Sequence, residues 1–239
     1  MLHIPVSIDA LITGQLSFDS DALRHLSSLR PSMIRITANH VSERRDVEAF
    51  IERIYAKTYG AVIGQHYPTL ISVRDAEGRI LAALGFRAAG EQKLFLEQYL
   101  DVPAEQAVGN AFGVPLSRGS IVEVGNLASA GHGAAVFLFA ALMAYLDCMG
   151  ISHIALTGTK ILRGYFAKLG LDPRDMGRAD PSRLADHGAS WGTYYDTDPR
   201  LIGGDVHASF QQLQKVMLVE QVCEAGMYEA QLHSKAALC

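Results

Sequence analysis

The chain has 239 residues, 49% apolar and 19% charged, enough apolar material for one large buried core and too much for a solvated or low-complexity chain. A formal charge of −4 gives no basic face for nucleic acid or an anionic membrane, and an acidic carrier protein would need a local basic patch. The cysteines Cys148, Cys223 and Cys239 have neither close pairing nor C-x-x-C spacing, which argues against a disulfide framework or a zinc site and suits a reducing cytoplasm.

Residues 1–30 lack the basic start, long apolar stretch and small-residue cleavage site of a secretory signal, and they read as a polar, patchy extension ahead of the core. Arg30-Pro31 breaks the chain before the alternating Met33-Ile34-Arg35-Ile36-Thr37, a first strand. Val47, Phe50, Ile51, Ile54 and Tyr55 then recur at helical spacing, with Ser42 as N-cap. Two β-like runs, 69–74 and 79–87, are joined by Asp75-Ala76-Glu77-Gly78 in the manner of a hairpin, and Leu94-Phe95-Leu96 reads as a third short strand.

The second half changes to strand–helix–strand. Strand 121–124, helix 133–149 closed by Gly150, and strand 151–157 make a βαβ unit with two parallel strands. No Asp, Glu, Lys or Arg interrupts 124–146, but the polar residues Gly125, Asn126, Ser129, Gly131, His132 and Gly133 cluster in its first half, so strand, turn and buried helix explain it better than a membrane span. Thr159 caps a helix over 160–169 that Gly170 ends. Residues 172–205 read as irregular, with a possible strand at 191–195, and an amphipathic helix covers about 208–228.

Chemistry concentrates at Ala128-Ser129-Ala130-Gly131-His132-Gly133-Ala134, between a buried strand and a helix. Backbone N–H groups and the helix dipole make an anion site there; simple chain reversal explains the glycines equally well. A dinucleotide fingerprint or P-loop is absent from the sequence. Farther on, Gly164-Tyr165-Phe166-Ala167-Lys168-Leu169-Gly170-Leu171 resembles the Tyr-Glu-Lys-Leu-Gly-Phe end of the last core helix in GNAT-fold N-acetyltransferases. The turn is similar to their pyrophosphate loop, Gln/Arg-x-x-Gly-x-Gly/Ala, with Gly131 and Gly133 at the small positions and Ala128 where a long polar residue usually stands. Phe166 takes the place of the tyrosine that often protonates the leaving thiolate in those enzymes, with Tyr165 adjacent.

A closer resemblance covers most of 33–205. It rests on Arg45, Tyr59-Gly60-Ala61, Leu94-Phe95-Leu96-Glu97-Gln98-Tyr99-Leu100-Asp101, Arg118, Ile121-Val122-Glu123-Val124-Gly125-Asn126-Leu127-Ala128, Ala179-Asp180-Pro181 and Trp191-Gly192-Thr193-Tyr194-Tyr195. This resembles the thermostable hemolysin family, whose pattern is similar to acyl-homoserine-lactone synthases and N-acyl amino acid synthases. The resemblance implies an α/β (α+β) GNAT-like fold, mainly antiparallel with the parallel unit at the site, over 31–205, followed by a helical tail over 206–239. It implies no tightly bound cofactor, an acyl-phosphopantetheine thioester (acyl carrier protein or coenzyme A) as co-substrate, and a small amine or amino acid as acceptor. Glu123 matches the synthases' central-strand glutamate, while Gly125-Asn126 replaces their Ser-Arg pair.

A carboxylate among apolar neighbours needs a partner or a task. Glu123 is therefore either paired with Arg118 or Arg45, or catalytic as the acceptor of the amine proton, with Asn126, Leu127 and Ala128 offering carbonyl-polarising groups and Ser129, Gly131, His132 and Gly133 holding phosphate. His132 is read as a polar turn residue ahead of a base. Glu97 and Asp101 are either solvated surface or, with Arg45 and Arg118, substrate-binding. Trp191, Tyr194 and Tyr195 are read as packing. The rival readings are a membrane-lytic protein and a noncatalytic acyl-binding module.

Overall fold

In the computed structural model, which describes residues 1–38 and 43–223, the alternating segments become strands β1 (Leu2–Ile8), β2 (Leu11–Phe18), β3 (Met33–Thr37), β4 (Thr69–Arg74), β5 (Ile80–Ala88), β6 (Ile121–Ser129), β7 (His153–Gly158), β8 (Arg174–Arg178), β9 (Arg200–Asp205) and β10 (Glu220–Cys223). The helices are α1 (Ser20–Leu23), α2 (Arg44–Tyr59), α3 (Ala104–Phe112), α4 (Ala134–Cys148), α5 (Lys160–Lys168) and α6 (Val206–Met217). One sheet holds all the strands in the order β10-β2-β1-β3-β4-β5-β6-β7-β9-β8. It is mostly antiparallel, with parallel pairs at β1/β3 and β6/β7. This is the GNAT-like mixed architecture.

The two faces follow from the period of two along β6. Val122 and Val124 point to the face covered by α4 and join its core, whereas Ile121 and Glu123 point to the face where α2, α3 and the loop after β5 lie. Helix α4 is apolar nearly all round, and every residue from Val136 to Ala144 is buried, as expected of a central rather than a surface helix. That burial accounts for the uncharged run at 124–146; no described helix is long and apolar enough to cross a membrane. On the opposite face α2 buries Val47, Phe50, Ile51 and Tyr55, and Gly60, at φ 68°, ends the helix by donating its N–H to the Ala56 carbonyl at 3.0 Å. The expected cap Ser42 lies outside the described residues.

Several elements differ from the sequence expectation. Residues 1–30, read as an extension, supply β1, β2 and α1 within the sheet and its core: Ile4, Leu16 and Phe18 are fully buried or nearly so. Their hairpin turns at Asp9 and Ala10, both at positive φ, without the Asn-Gly or Asp-Gly signal that marks such turns. Residues 95–99 form a 3-10 turn instead of a strand, because Glu97 and Glu123 take up the N–H groups of 94–96 that a ladder would use. The irregular stretch contains β8 and β9, Trp191–Tyr195 lies in 3-10 turns, and α3 was not anticipated. The C-terminal helix ends at Met217 rather than near 228, and Leu218, at φ 47°, redirects the chain into β10 on the edge of β2. Helix α6 packs on α4.

The hairpin is tied to the centre by Phe18, whose ring meets Phe137 of α4 edge-on at 5.3 Å. We predict that Phe18→Ala destabilises the whole domain by about 3–5 kcal/mol, as for other buried aromatics. A chemical-denaturation curve shifted by less than about 1 kcal/mol would show the hairpin to be an independent appendage.

Candidate active site

Strands β6 and β7 pair from Ile121↔His153 to Val124↔Leu156 and then stop, although β6 runs on to Ser129 and β7 to Gly158. Beyond that point β7 stays with β9 and β6 with β5, so the two parallel strands part. A β-bulge sits at the parting: on β5 only Leu84 lies between the partners of Gly125 and Ala128, whereas β6 has Asn126 and Leu127 there. Asn126 takes φ 52°, which asparagine tolerates better than most residues. The extra residue switches the alternation, so that Gly125 before the bulge and Ala128 after it both face α2.

A cleft of about 90 Å³ opens between the parted strands. Val124, Leu127, Phe139 and Leu156 line it toward α4, and Tyr55, Tyr59, Tyr67 and Tyr194 toward α2, so it passes through the sheet. The aromatic wall is held from outside: the Thr193 N–H donates to the Tyr59 carbonyl at 2.9 Å, and the Tyr194 ring meets Tyr59 edge-on at 5.3 Å. Trp191, Tyr194 and Tyr195 pack against one another as expected, yet Trp191 and Tyr194 also line the cleft.

Glu123 is 2% exposed. Its Oε1 accepts the Leu96 N–H at 2.7 Å and its Oε2 the Phe95 N–H at 2.8 Å. The cation beside it is neither Arg118 nor Arg45 but Arg87, its cross-strand partner on β5, with Nε 3.2 Å from Oε2 in an ion-pair contact outside hydrogen-bonding geometry. The Arg87 guanidinium lies over the Tyr67 ring, 4.2 Å from its centroid. Tyr67 in turn fills the space left by the paired glycines Gly85 and Gly125, where a Cβ would come within 2.6 Å of its Cβ and 2.3 Å of its hydroxyl respectively. Arg44 holds this tyrosine in place by donating to the carbonyls of Tyr67 and Pro68. Burial is the largest influence on the Glu123 carboxyl and pushes it up, against the two amides, Arg87 and the Tyr67 hydroxyl.

The other expected substrate contacts lie elsewhere and line neither this cleft nor the cavity beside it. Arg45 is on the exposed face of α2 with Glu48 and Glu52. Asp101 is exposed and pairs with Arg183 at 2.7 Å. Glu97 is fully engaged: it accepts from Arg118, at 2.6 and 2.8 Å, and from the N–H groups of Leu94 and Ala104.

At the turn, Gly131, His132 and Gly133 have φ of 99°, 57° and 80°. Nothing lies within 4 Å of a Cβ at Gly131, whereas one at Gly133 would meet the Leu26 carbonyl at 2.1 Å. Ser129 Oγ accepts the Gly131 N–H, and the His132 carbonyl accepts from Ser27 Oγ at 2.9 Å. Phe166 is buried edge-on against Phe139 at 4.9 Å. The neighbouring Tyr165 hydroxyl is buried with no hydrogen-bond partner among the described residues, and burial raises it to about 12. Among the described residues, no group of His, Cys, Asp and Glu side chains could hold a metal.

The sequence pattern described as thermostable hemolysin matches residues 37–210. No curated protein matches the chain. Among solved structures, the CoA-dependent acyl-homoserine lactone synthase MesI aligns at TM-score 0.51 and 16% identity, over 81% of this chain and 99% of that one. FeeM, an N-acyl amino acid synthase from uncultured soil microbes, aligns at 0.50 and 16%, over 75% and 98%, and the AHL synthase LasI at 0.52 and 13%, over 79% and 98%. At these identities the likeness is one of fold.

The Glu97 contacts predict an acid-sensitive stability. Hydrogen bonding to Arg118, with help from the Leu94 and Ala104 amides, lowers its carboxyl to about 2. Because the folded-state value lies below the unfolded one, about 4.3, the stabilisation is present above that pH and is lost as pH falls toward 2. The stability gap between the wild type and Glu97→Gln, from urea melts, should therefore shrink across this window. A gap independent of pH would mean that Glu97 acts by packing alone.

Proposed function

Because the chain belongs to the thermostable hemolysin family and its sheet parts at a bulge beside a helix-starting turn, we propose that it is a cytoplasmic N-acyltransferase. It moves an acyl group from an acyl thioester, on acyl carrier protein or coenzyme A, to a small amine or amino acid. The cleft through the sheet carries this reading: it gives donor and acceptor separate approaches, from the α4 face and from the α2 face, to one point. The fold shared with MesI, FeeM and LasI supports it. The catalytic unit in this reading is 31–205, with 1–30 extending its sheet and α6 covering α4.

In the proposed mechanism the phosphopantetheine phosphate meets Ser129, Gly131, His132 and Gly133 at the start of α4. The thioester carbonyl lies at the bulge, where backbone N–H groups near Leu127 and Ala128, beside the Asn126 amide, have no β7 ladder partner and can polarise it. The amine nitrogen attacks the carbonyl carbon, the C–S bond breaks, and the thiolate takes a proton from water. Both Glu123 oxygens face into the protein, so the amine proton reaches the carboxylate by way of the Tyr67 hydroxyl, which lies against Gly125 and lines the cleft. Direct transfer within a ternary complex needs no protein nucleophile; Cys148 stands at the far end of α4.

Purified protein with a panel of acyl-carrier and acyl-coenzyme A donors against amines, read by thiol release and product mass, tests this. Donor binding without turnover would make the protein an acyl-binding module. Dye release from liposomes without transfer would make it lytic.

Two further outcomes are expected. Gly131→Val should raise the donor KM with a modest loss of stability, because its side chain enters open space at a left-handed φ, whereas Gly133→Ala should unfold more readily through its clash with Leu26. Unchanged donor KM in a folded Gly131→Val would reduce the turn to chain reversal.

Glu123→Gln should lose about 3–5 kcal/mol of stability through the stranded Arg87, so its lower turnover alone proves nothing. Tyr67→Phe keeps the ring over Arg87 and should lower kcat ~10²-fold while donor KM stays near the wild-type value. Wild-type kcat in that variant would move the proton route away from Glu123.

A further inference from the structure

A second cavity, of about 200 Å³, adjoins the cleft on the α2 side and shares Tyr67, Phe95, Asn126 and Trp191 with it. Arg87 lines it. This arginine is 8% exposed, and among the described residues its only acidic contact is through Nε to Glu123. The Glu123 charge is also met by the Phe95 and Leu96 amides. No hydrogen bond from either Arg87 Nη to the described residues is present, so a buried guanidinium fork borders a cavity with its two terminal nitrogens uncommitted. The Tyr67 ring covers one face of the guanidinium, leaving the edge, which is the side that pairs with a planar anion.

We propose that this cavity receives the carboxylate of the acceptor, held by the Nη edge of Arg87, and that the acceptor is accordingly an α-amino acid. The geometry limits the choice. The cavity and the cleft meet at Asn126, so a carboxylate in the former and a nucleophilic nitrogen in the latter belong to one small molecule with few atoms between the two groups. A plain amine leaves the two Nη groups without an anion of their own, which penalises it relative to the acid. The proposal rests on the acyl-transfer reading, and the test separates the two.

The acceptor series compares common α-amino acids with their primary amides and their decarboxylated amines, first by calorimetry in the presence of coenzyme A, then by transfer from an acyl-coenzyme A or acyl-carrier donor. Amino acids should bind and react about 10–100-fold better than the matched amides and amines, the range expected for a charge-assisted pair. Arg87→Lys, which keeps the charge beside Glu123 but loses the fork, should bring that ratio toward one. Arg87→Met with Glu123→Gln removes both buried charges together and serves if Arg87→Lys does not fold. Equal acylation of acids, amides and amines, or an Arg87→Lys protein that keeps the preference, overturns the carboxylate site while leaving acyl transfer standing. Arg87-dependent binding of amino acids without transfer keeps the site and removes the transfer reading. Neither binding nor transfer removes both.

Discussion

The ion pair between Arg87 and Glu123, buried across β5 and β6, is the constraint around which this half of the molecule is arranged. Withdrawing two charges from water costs several kcal/mol per ion, and attraction alone does not restore it. The surroundings supply the rest: two backbone N–H groups on the carboxylate and an aromatic face on the guanidinium. Each compensating group fixes something else. The amides belong to the 3-10 turn at 95–99, which brings Phe95 and Tyr99 to the cleft. The aromatic face is Tyr67, which lies close to the sheet only because β5 and β6 present a glycine pair beneath it. A residue with a Cβ at either glycine would push the ring, and with it the cover over Arg87, away from the strands.

The same stretch of β6 also ends the parallel ladder. A parallel pair of strands is stable when both run together, and here the helix that joins them, α4, lies on one face of the sheet over β4 and β5, with every side chain from Val136 to Ala144 buried. The bulge at Asn126 turns the backbone of β6 while β7 continues straight into its pairing with β9. The opening is thus a consequence of one extra residue in one strand, held apart by Phe139 and Leu156 on one side and the tyrosines on the other. A cleft built in this way requires no separate domain: β6 and β7 frame it, and α2, α4, α5 and the turns that carry Phe95 and Trp191 complete its lining.

The sequence showed those elements whose signals are local. The hairpin 69–87, α2, the βαβ unit and α5 with its closing glycine all follow from periodicity and caps within a few residues of themselves. What it did not show depends on distant partners. Residues 94–96 have strand composition, but two carboxylates claim their N–H groups, one of them 27 positions from Leu96. The N-terminal hairpin turns at Asp9-Ala10, with no glycine to announce it. Glu123 stands out as a buried charge that needs a partner or a catalytic use, and the structure places a cation beside it. The choice between Arg118 and Arg45 overlooked Arg87, which the strand register places directly opposite. The available signal was a charged residue two positions after Gly85 on a strand otherwise apolar, the mirror of Glu123 two positions before Gly125.

At the turn 128–134 the reversal and the proposed phosphate site fall on different residues, Gly133 and Gly131. Reversal is anchored from outside the βαβ unit: Gly133 lies so close to Leu26 that no side chain fits, and Ser27 binds the His132 carbonyl. Both anchors come from the segment after β2, so the N-terminal hairpin that completes the sheet edge also sets the shape of the turn. With those two residues fixed, Gly131 is left with open space around it and with its own N–H oriented by Ser129. A phosphate needs backbone that is exposed and already rigid, because ordering a flexible loop on binding costs conformational entropy. In the proposed site the Leu26–Ser27 segment supplies the rigidity, and Gly131 supplies the exposure.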